Sequence, residues 1–530
     1  MANYIIASNA LVLLAFVTFF FVYFLRAFIL RDKKLRPKYP PSPWKWPILG
    51  NLPQLLRGGP ACHTTFRLLA KELGPVYNVW LGGSFPMVIV TGEETVHEAL
   101  IKQSSVFSSR PKLLSWQHIS AGFKTTMTSP FGPHWQKLRK TISVDLLGPS
   151  KLASYKPIRD SEIQKLLARL REQAHANAGL VSPLDQLRTS AVDVIMRIGF
   201  GEEFALMEAV NSNRRHAKIV ELDRCFRQLM DAGSIFQLVI DSSVVARTLL
   251  FPLARSANRN IETVADNTVS LVMPIVQQRK RYLQDHPATE TRTFVDALIS
   301  CKGESALTDL EIVWNVVELM VGGTDNTSHI LEWALANMVK YPHIQEKVYT
   351  EVRCAMGPNL ERRLVEESEL DKLPYLQAVV KESMRRHMMT PLAIPKLAAQ
   401  DCKLSGYDIP KGTMVVFHAG ALAMDDDIWT DPLNFRPERF LAGTGSSNAP
   451  VTQTHKHAFM PFGAGRRSCP GAAMGFLHLH HLFANLIYAF EWGPESPRKA
   501  VDFTEKFRMV VTMKNPLRAT IKERTHFRMM

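Results

Sequence analysis

The chain has 530 residues, 46% of them hydrophobic and 21% charged, which is the composition of a globular protein and excludes an intrinsically disordered one. Its six cysteines show no paired spacing, which argues against a disulfide framework and favours a reducing compartment. The formal net charge of +15 suits an anionic membrane surface or an acidic protein partner. Because no nucleic-acid-binding motif is present, we expect no nucleic-acid partner.

Residues 1–30 are predicted to form an N-terminal membrane anchor. The run Asn9 to Leu25 is almost wholly apolar, and with its flanks it supplies roughly 20 or more residues of membrane-compatible helix. No small-residue cleavage site follows, which speaks against the alternative of a cleaved signal peptide. Basic residues between positions 26 and 38 favour a single-pass anchor whose body faces the cytosol.

Residues 31–50 are basic and proline-rich, and they are predicted to form a hinge after the anchor. Four prolines occur between Tyr39 and Asn51, where they cannot continue a helix. Residues 51–530 contain no linker, low-complexity tract or repeat, so we expect them to form one large catalytic domain.

The body of the chain shows mainly helical patterns with a minor share of strands, which predicts a mainly α fold with a minor β part (α+β). Two short strands are predicted at residues 76–83 and 85–90, and a similar strand element at Cys402 to His418. Thr91 and Glu94 have the spacing of a capping box, which predicts that a helix begins there.

The longest helical pattern begins at Thr308, where Glu311 completes a capping box, and Pro342 ends it. Such a helix spans about 45–50 Å and would cross the whole domain. Gly322 and Gly323 stand at its centre, where each costs roughly 1 kcal/mol relative to alanine. We therefore expect either that another group approaches the helix backbone closely or that the helix is locally distorted; the alternative is a helix break at the domain surface.

Cys469 lies in the stretch FMPFGAGRRSCPG, a glycine-rich loop before a helical run that extends to Phe490. Loop N–H groups and a helix N-terminus both lower the pKa of a thiol, which favours a thiolate. No second cysteine lies nearby, so zinc is disfavoured, whereas a single thiolate suits haem iron. Arg467 could then pair with a haem propionate. The ordinary alternative is a cysteine that acts as a small buried hydrophobe.

The pattern Phe462-x-x-Gly465-x-Arg467-x-Cys469-x-Gly471 strongly resembles the haem-binding loop of cytochrome P450s. The resemblance implies the cytochrome P450 fold, with the long central helix over the haem and Cys469 as the axial ligand of haem b. Further family motifs agree with it. The WQKLRK motif gives Trp135 and Arg139 as cofactor-binding residues. The KESMRR and FRPERF motifs give Glu382, Arg385 and Arg439 as a buried salt-bridge network. The rest of the cofactor-binding haem loop consists of Phe462, Gly465, Arg467 and Gly471.

The resemblance is strongest to the microsomal enzymes of plants, which implies a location in the endoplasmic reticulum membrane. It implies a monooxygenase that inserts one oxygen atom from O₂ into a small hydrophobic or moderately polar substrate of lipid or specialised metabolism. NADPH would supply the electrons through cytochrome P450 reductase. The protein would hold the haem and the substrate, and the haem would carry out the activation of O₂.

The chain departs from the family pattern at two positions. The family places an acid and then a threonine at the centre of the long helix, whereas here Asp325 is followed by Asn326, with Thr327 one step later. Asparagine can hydrogen-bond but is no hydroxyl relay, so we expect these three catalytic candidates to move protons differently. Lys396 stands where the family often has an arginine that contacts a propionate, which keeps the charge but loses the guanidinium fork.

We interpret Asn326 as a substitution in an ordinary hydroxylase in which water serves as the proton relay. It also leaves open an amino-acid N-hydroxylase that forms an oxime and an O₂-independent isomerase or dehydratase. A non-catalytic haem sensor or carrier is a third alternative. The substrate pocket is expected to be mainly apolar. Its predicted lining consists of Val321, Gly322, Leu392, Ala393, Ile394 and the loop from Leu113 to Met127.

Two other patterns are given structural interpretations. The three histidines between Leu477 and Leu482 lack cysteine or carboxylate partners in the sequence, so we expect helix packing rather than a metal site. The basic run Gln277 to Tyr282 is interpreted as a solvated face or a docking surface for an acidic reductase.

Overall fold

A computed structural model describes most of the chain. The described residues are 18–19, 22, 37–46, 49–57, 62–82, 85–201, 221–222, 224–229, 235–242, 244–249, 251–286, 293–301, 306–357, 363–442, 451–507 and 509–524. The predicted anchor at residues 1–30 therefore lies outside the described residues except for three positions. Within the described ranges, no helix combines the length and apolarity needed to cross a bilayer.

Helices dominate the fold, as predicted. Before the central helix they are α1 (Leu52–Arg57), α2 (Cys62–Leu73), α3 (Glu93–His97), α4 (Leu114–His118), α5 (Pro133–Lys140), α6 (Pro149–Ser154), α7 (Lys156–Ala176), α8 (Pro183–Phe200), α9 (Ile235–Ser242), α10 (Val244–Leu249), α11 (Phe251–Asp285) and α12 (Phe294–Ile299). From the central helix onward they are α13 (Asp309–Lys340), α14 (Pro342–Met356), α15 (Pro374–Arg386), α16 (Ala419–Leu422), α17 (Val451–Thr454) and α18 (Ala472–Ala489).

The strands form small sheets, again as predicted. They are β1 (Val76–Leu81), β2 (Phe85–Val90), β3 (Leu180–Val181), β4 (Lys396–Leu397), β5 (Cys402–Leu404), β6 (Tyr407–Ile409), β7 (Met414–Phe417), β8 (Phe490–Pro494), β9 (Glu505–Phe507), β10 (Val511–Met513) and β11 (Ala519–Glu523). The largest sheet has the order β1-β2-β7-β4, in which β2 and β7 run parallel and the other neighbours antiparallel. A three-stranded sheet has the order β3-β11-β8, and β5–β6 and β9–β10 are hairpin-like pairs.

The central helix α13 begins and ends where the sequence predicts. The Thr308 hydroxyl accepts a hydrogen bond from the Glu311 N–H, the Glu311 carboxylate accepts one from the Thr308 N–H, and this capping box starts the helix. Pro342 starts the following helix because its ring suits a first helical position. Helix α13 packs mainly against α8, with further contacts to α11 and α18, so it forms the centre of the hydrophobic core.

One helix start differs from the prediction. The N-cap of α3 is Gly92 and makes no side-chain capping bond, because the Thr91 hydroxyl donates instead to the carbonyl of Pro75. Helix α3 continues as a π-helical turn over Glu98–Lys102. The capping box predicted at Thr91 is therefore wrong, since Pro75, directly before β1, offers that hydroxyl an acceptor across the β1–β2 pair.

The described part of the predicted hinge lies against the main sheet. The N–H of Asn78 in β1 donates to the carbonyl of Pro41, and the N–H of Lys38 donates to the carboxylate of Asp408. Trp46 and Gly50 form an isolated antiparallel bridge. Residues 37–46 are thus extended, as the proline content requires, and they are fixed to the domain.

Candidate functional site

The loop before α18 turns sharply at two glycines. Gly463 and Gly465 have φ angles of 69° and 70°, which only glycine adopts without strain. The N–H of Cys469 donates to the carbonyl of Phe462 at 2.8 Å and closes the loop. A Cβ on Gly465 would collide with the carbonyl oxygen of Leu100, so this glycine also permits the loop to lie against the π-helical turn after α3.

Cys469 lies at the end of this loop with an accessible side chain. Burial by the surrounding protein raises the pKa of the thiol, although the N–H of Gly471 and the guanidinium of Arg139 both lower it. The expectation of a lowered thiol pKa is therefore wrong for the protein without a metal, because desolvation outweighs the N–H group and the cation. A bound metal ion would deprotonate the thiol outright.

Cationic side chains gather beside the loop. Burial lowers the pKa of Arg467 to about 9 and that of Arg110 to about 10, so both guanidiniums remain charged at pH 7. Desolvation, followed by repulsion from those two guanidiniums, lowers the pKa of Lys396 well below its usual 10.5. The carboxylate that faces the guanidiniums is Glu318, and burial raises its pKa to about 7. The cluster therefore carries an excess of buried positive charge.

Trp135 and Arg139 of α5 lie next to this cluster, as the WQKLRK motif predicts. The Arg467 guanidinium stacks 4.3 Å from the centre of the Trp135 ring. The indole Nε1 is buried and has no acceptor among the described residues. Arg139 donates to the carbonyl of Ser468 at 2.6 Å, directly before Cys469.

These features fit a haem. An excess of buried cations and an unused indole donor match the two carboxylates of a haem, which are planar acceptors suited to guanidinium. Cys469 offers an accessible thiol, and haem iron in this kind of site is held by one thiolate. The groups that would hold a haem are thus Cys469 at the iron and Trp135, Arg139, Lys396 and Arg467 at the propionates, to which the structure adds Arg110.

The middle of α13 is exposed within an otherwise buried helix. Gly322 is exposed, and a Cβ there would meet no atom within 4 Å, which indicates a cleft beside it. Gly323 lies against α8, where a Cβ would come within 2.6 Å of Cδ1 of Ile195. The helix remains α-helical throughout, so the predicted close approach is observed and the predicted distortion is not.

The three catalytic candidates on α13 have different surroundings. Asp325 pairs with the Nη2 atom of Arg188 on α8 at 2.6 Å, and both side chains are buried. The Thr327 hydroxyl donates to the carbonyl of Gly323 at 3.1 Å. Asn326 borders the cleft; its Nδ2 donates to the carbonyl of Gly322, while its buried Oδ1 has no donor among the described residues.

Glu382, Arg385 and Arg439 come together behind the loop. The Arg385 guanidinium donates to both carboxylate oxygens of Glu382, at 2.7 and 2.8 Å, and Arg439 donates to one of them at 3.1 Å. Both arginines also donate to backbone carbonyls between residues 423 and 434, so nearly every donor is used. The predicted network therefore has the geometry expected of a buried salt bridge that is fully hydrogen-bonded.

The predicted pocket residues are partly buried or exposed and pack against different apolar clusters. Val321 is partly buried next to the exposed Gly322. Leu392 and Ile394 are partly buried and pack against the apolar cluster that also contacts Phe123 of the predicted loop. Ala393 is partly buried too, and its N–H donates to the carbonyl of Phe417 in β7.

The histidine run does have carboxylate neighbours, contrary to the reasoning from sequence. His481 lies with Asp160 and Glu367 so that potential ligand atoms are within 4.8 Å of one another. However, Arg159 donates to both oxygens of Glu367 at 2.6 and 2.9 Å, and Lys156 pairs with Asp160 at 2.5 Å. Because these cations already neutralise the carboxylates, the expectation of helix packing stands.

The basic run in α11 is only partly solvated. Arg279 is buried and forms a two-point ion pair with Asp296, at 2.7 and 2.9 Å, and Lys280 pairs with Asp309. These residues hold α11 to its neighbours, so the interpretation of the whole run as a docking surface is wrong for these two positions.

Reasoning from sequence missed three charged residues of the site: Arg110, Arg188 and Glu318. Arg188 lies among the buried apolar residues of α8, and Glu318 among those of α13. A charge on the apolar face of a predicted helix is the signal that could have identified both. Arg110 follows two serines in an irregular segment, where no periodicity marks it.

Comparison with known proteins supports the same conclusion. The family model described as cytochrome P450 matches residues 40–521. The chain is 32% identical over 495 residues to cytochrome P450 98A1 of Sorghum bicolor, covering 92% of each chain. It is 31% identical to pluviatolide synthase of Sinopodophyllum hexandrum, over 91% of this chain and 92% of that one. It is also 31% identical to (S)-canadine synthase of Coptis japonica, over 92% and 93% respectively.

A solved structure is similar in fold. A zebra fish cytochrome P450, determined with abiraterone, superimposes with a TM-score of 0.68 at 23% sequence identity, covering 87% of this chain and 99% of that chain. The family match over residues 40–521 runs from the hinge into the last strand and so includes the thiol loop and the cation cluster. The chain belongs to the cytochrome P450 family.

Proposed function

We propose that the protein is a membrane-anchored haem-thiolate monooxygenase of plant lipid or specialised metabolism. It inserts one oxygen atom from O₂ into a small hydrophobic or moderately polar substrate by hydroxylation or epoxidation. Enzymes of the family bind haem through a cysteine thiolate and receive electrons from a redox partner. For this chain we propose NADPH-cytochrome P450 reductase as that partner.

The observation that carries the proposal is the accessible Cys469 thiol beside an excess of buried cations. Arg110 is buried and Arg467 is partly buried beside Glu318, with the partly buried Arg139 next to Cys469. Withdrawing these guanidiniums from water is unfavourable unless an anionic group completes the cluster. A dianionic haem would supply that charge, and Cys469 would hold its iron. When bound, it supplies O₂ activation and electron transfer.

The chain's own groups then have separate tasks. Arg110, Arg139, Lys396 and Arg467 would bind the propionates, and Trp135 would donate its indole hydrogen. The N–H of Gly471 donates to the Cys469 sulfur and tunes its electron density.

On α13, Asn326 offers an amide to water or substrate, and the neighbouring Asp325 is held by Arg188. The apolar residues Val321, Leu392, Ala393 and Ile394 exclude bulk water and suit an apolar substrate. The names of two relatives, pluviatolide synthase and (S)-canadine synthase, refer to particular small organic products and so support this substrate class.

We further propose that residues 1–30 anchor the enzyme in the endoplasmic reticulum membrane and that residues 31–50 connect the anchor to a cytosolic catalytic domain, residues 51–530. The support is the apolar run of the first segment and the basic residues after it. The extended chain at residues 37–46, fixed to β1 and the β5–β6 pair, would hold the domain close to the anchor.

The test combines the haem-loaded protein, a plant reductase, NADPH and ¹⁸O₂ with a library of plant lipids, phenolics, alkaloids and amino acids. We expect a product that carries one ¹⁸O atom and forms only when NADPH, reductase and O₂ are all present. Cys469→Ser should abolish both the product and the thiolate-specific absorption band of the carbon monoxide complex. Glu311→Gln, at the start of α13 and outside the site, is the matched control.

Three outcomes would contradict the proposal. Substrate conversion that proceeds without O₂ and reductase would identify an isomerase or dehydratase. Oxime formation from an amino acid would select the N-hydroxylase. A Cys469→Ser variant whose carbon monoxide complex keeps the thiolate-specific absorption band would reject the ligand assignment.

A further inference from the structure

Two polar side chains on α13 hold the loop that follows α4. Asn315 and Glu318 are three residues apart, so they share one face of the helix, one turn before the exposed Gly322. The N–H and hydroxyl of Thr126 both donate to Asn315 Oδ1 at 3.2 Å. The N–H of Met127 donates to the Glu318 carboxylate, at 3.0 and 3.2 Å from its two oxygens.

The carbonyl groups of the same loop accept hydrogen bonds from the propionate side. The Thr126 carbonyl accepts from Arg467 at 3.0 Å, and the Met127 carbonyl accepts from Arg110 at 2.9 Å. Arg467 also donates to the carbonyl of Ser129. The loop is therefore held between acceptors on α13 and guanidiniums of the cation cluster, and a change on either side changes its position.

This loop borders the predicted substrate pocket. Phe123, just before it, packs against the same apolar cluster as Leu392 and Ile394. Phe123 also has a φ angle of 68°, a conformation that a bulky residue keeps only when the surrounding contacts impose it. A shift of Thr126 and Met127 would therefore move an aromatic wall of the pocket.

We propose that Asn315 and Glu318 are positioning residues that latch residues 124–127 to α13 and thereby set the shape of the substrate pocket. The inference rests on the proposed function, because it assigns a pocket to this side of the cleft. Neither residue contacts the thiol or the iron position, so neither is a catalytic residue.

The latch is pH-dependent. Protein atoms surround the Glu318 carboxyl, and this desolvation raises its pKa to about 7. Hydrogen bonds from Thr125 and Met127 act in the opposite direction and lower it. The charged groups that face it are Arg110 and Arg467, which both favour the carboxylate and remain charged themselves; Lys396 lies beside those two. Below pH 7 the carboxyl becomes neutral, and both its attraction to the guanidiniums and its bond to Met127 weaken.

Amide hydrogen exchange of the full-length, haem-loaded protein tests the latch without any substrate. After correction for intrinsic exchange, the amides of Thr126 and Met127 should exchange about tenfold faster at pH 6 than at pH 8. In Glu318→Gln they should exchange fast at both pH values. Glu318→Asp, which keeps the charge, should restore the pH dependence, and the matched control Glu311→Gln should behave like the wild type.

Equal protection of Thr126 and Met127 in the wild type and Glu318→Gln would overturn the proposal, and so would pH-independent protection in the wild type. If Glu318→Gln does not fold, Asn315→Ala still tests the latch: both amides should lose protection, Thr126 more than Met127, because Thr126 loses its own acceptor. Because exchange needs no turnover, an enzyme that fails the ¹⁸O₂ assay can still pass or fail this experiment.

Discussion

Asp325 and Arg188 form a buried ion pair between α13 and α8. The pair lies one residue from Asn326, the position where the chain departs from its family's usual threonine. The sequence identifies Asp325 as a candidate proton donor, but it gives no indication of the cation that holds it, since Arg188 is distant in the chain. The pair fixes the carboxylate next to the cleft and so limits which water molecules it can reach.

Replacing Arg188 by leucine leaves the Asp325 carboxylate buried without its counter-charge. We expect Arg188→Leu to lower the free energy of unfolding by about 3–5 kcal/mol in a urea titration. The double variant Arg188→Leu/Asp325→Asn should recover more than half of that loss, because no charge remains to be compensated. A double variant as unstable as the single one would show that Arg188 acts mainly through other contacts.

At the scale of elements, prediction succeeded where local signals agree. The start of α13 followed from Thr308 and Glu311, and β5, β6 and β7 followed from alternating apolar residues separated by glycine and proline. The start of α3 could not be derived, because Thr91 uses its hydroxyl on Pro75, a tertiary partner. The propionate side of the site was only partly predictable, since Arg110 and Glu318 meet through folding and share no motif.

The loop that carries Cys469 offers a matched pair of glycines. Both Gly463 and Gly465 have positive φ, but a Cβ on Gly463 meets nothing closer than 4.0 Å, whereas one on Gly465 strikes the Leu100 carbonyl. We expect Gly463→Ala to cost about 1–2 kcal/mol of unfolding free energy, and Gly465→Ala roughly 2–4 kcal/mol, since overlap adds to backbone strain.

Urea unfolding and the rate of haem loss to apomyoglobin measure the two effects. Haem loss should be faster in Gly465→Ala than in Gly463→Ala, because only the former displaces the loop from the turn after α3. Equal behaviour of the two variants would show that the contact with Leu100 does not position the loop.

At the scale of the whole molecule, buried histidines make stability depend on pH. Desolvation is the main cause that lowers the pKa of four of them: His478 to about 3, His418 and His480 to about 4, and His387 well below 6.5. His387 is stacked on Trp333 at 4.1 Å, and neither of its ring nitrogens has a partner among the described residues. All four are therefore neutral in the folded protein at neutral pH.

Because the folded-state pKa values lie below the unfolded value, the unfolded chain binds protons first as the pH falls. The stability is complete above about pH 6.5 and is lost progressively toward pH 4. At pH 5 each of these histidines lowers the free energy of unfolding by about 2 kcal/mol relative to neutral pH. The urea concentration at the unfolding midpoint should therefore fall steeply between pH 7 and pH 5. His478→Asn should reduce that slope, whereas His286→Asn, at an exposed position, should leave it unchanged. A midpoint that stays constant from pH 7 to pH 5 would contradict the prediction.

The parallel pairing of β2 with β7 has a consequence for biosynthesis. Met87 is aligned with Met414, so β2 is synthesised long before β7, the strand with which it pairs. At ordinary rates of translation that interval is on the order of half a minute, during which one edge of the β1–β2 ribbon remains open. The cysteine loop leaves the ribosome later still. Insertion of the cofactor is thus a late event, and the emerging polypeptide needs chaperones until then.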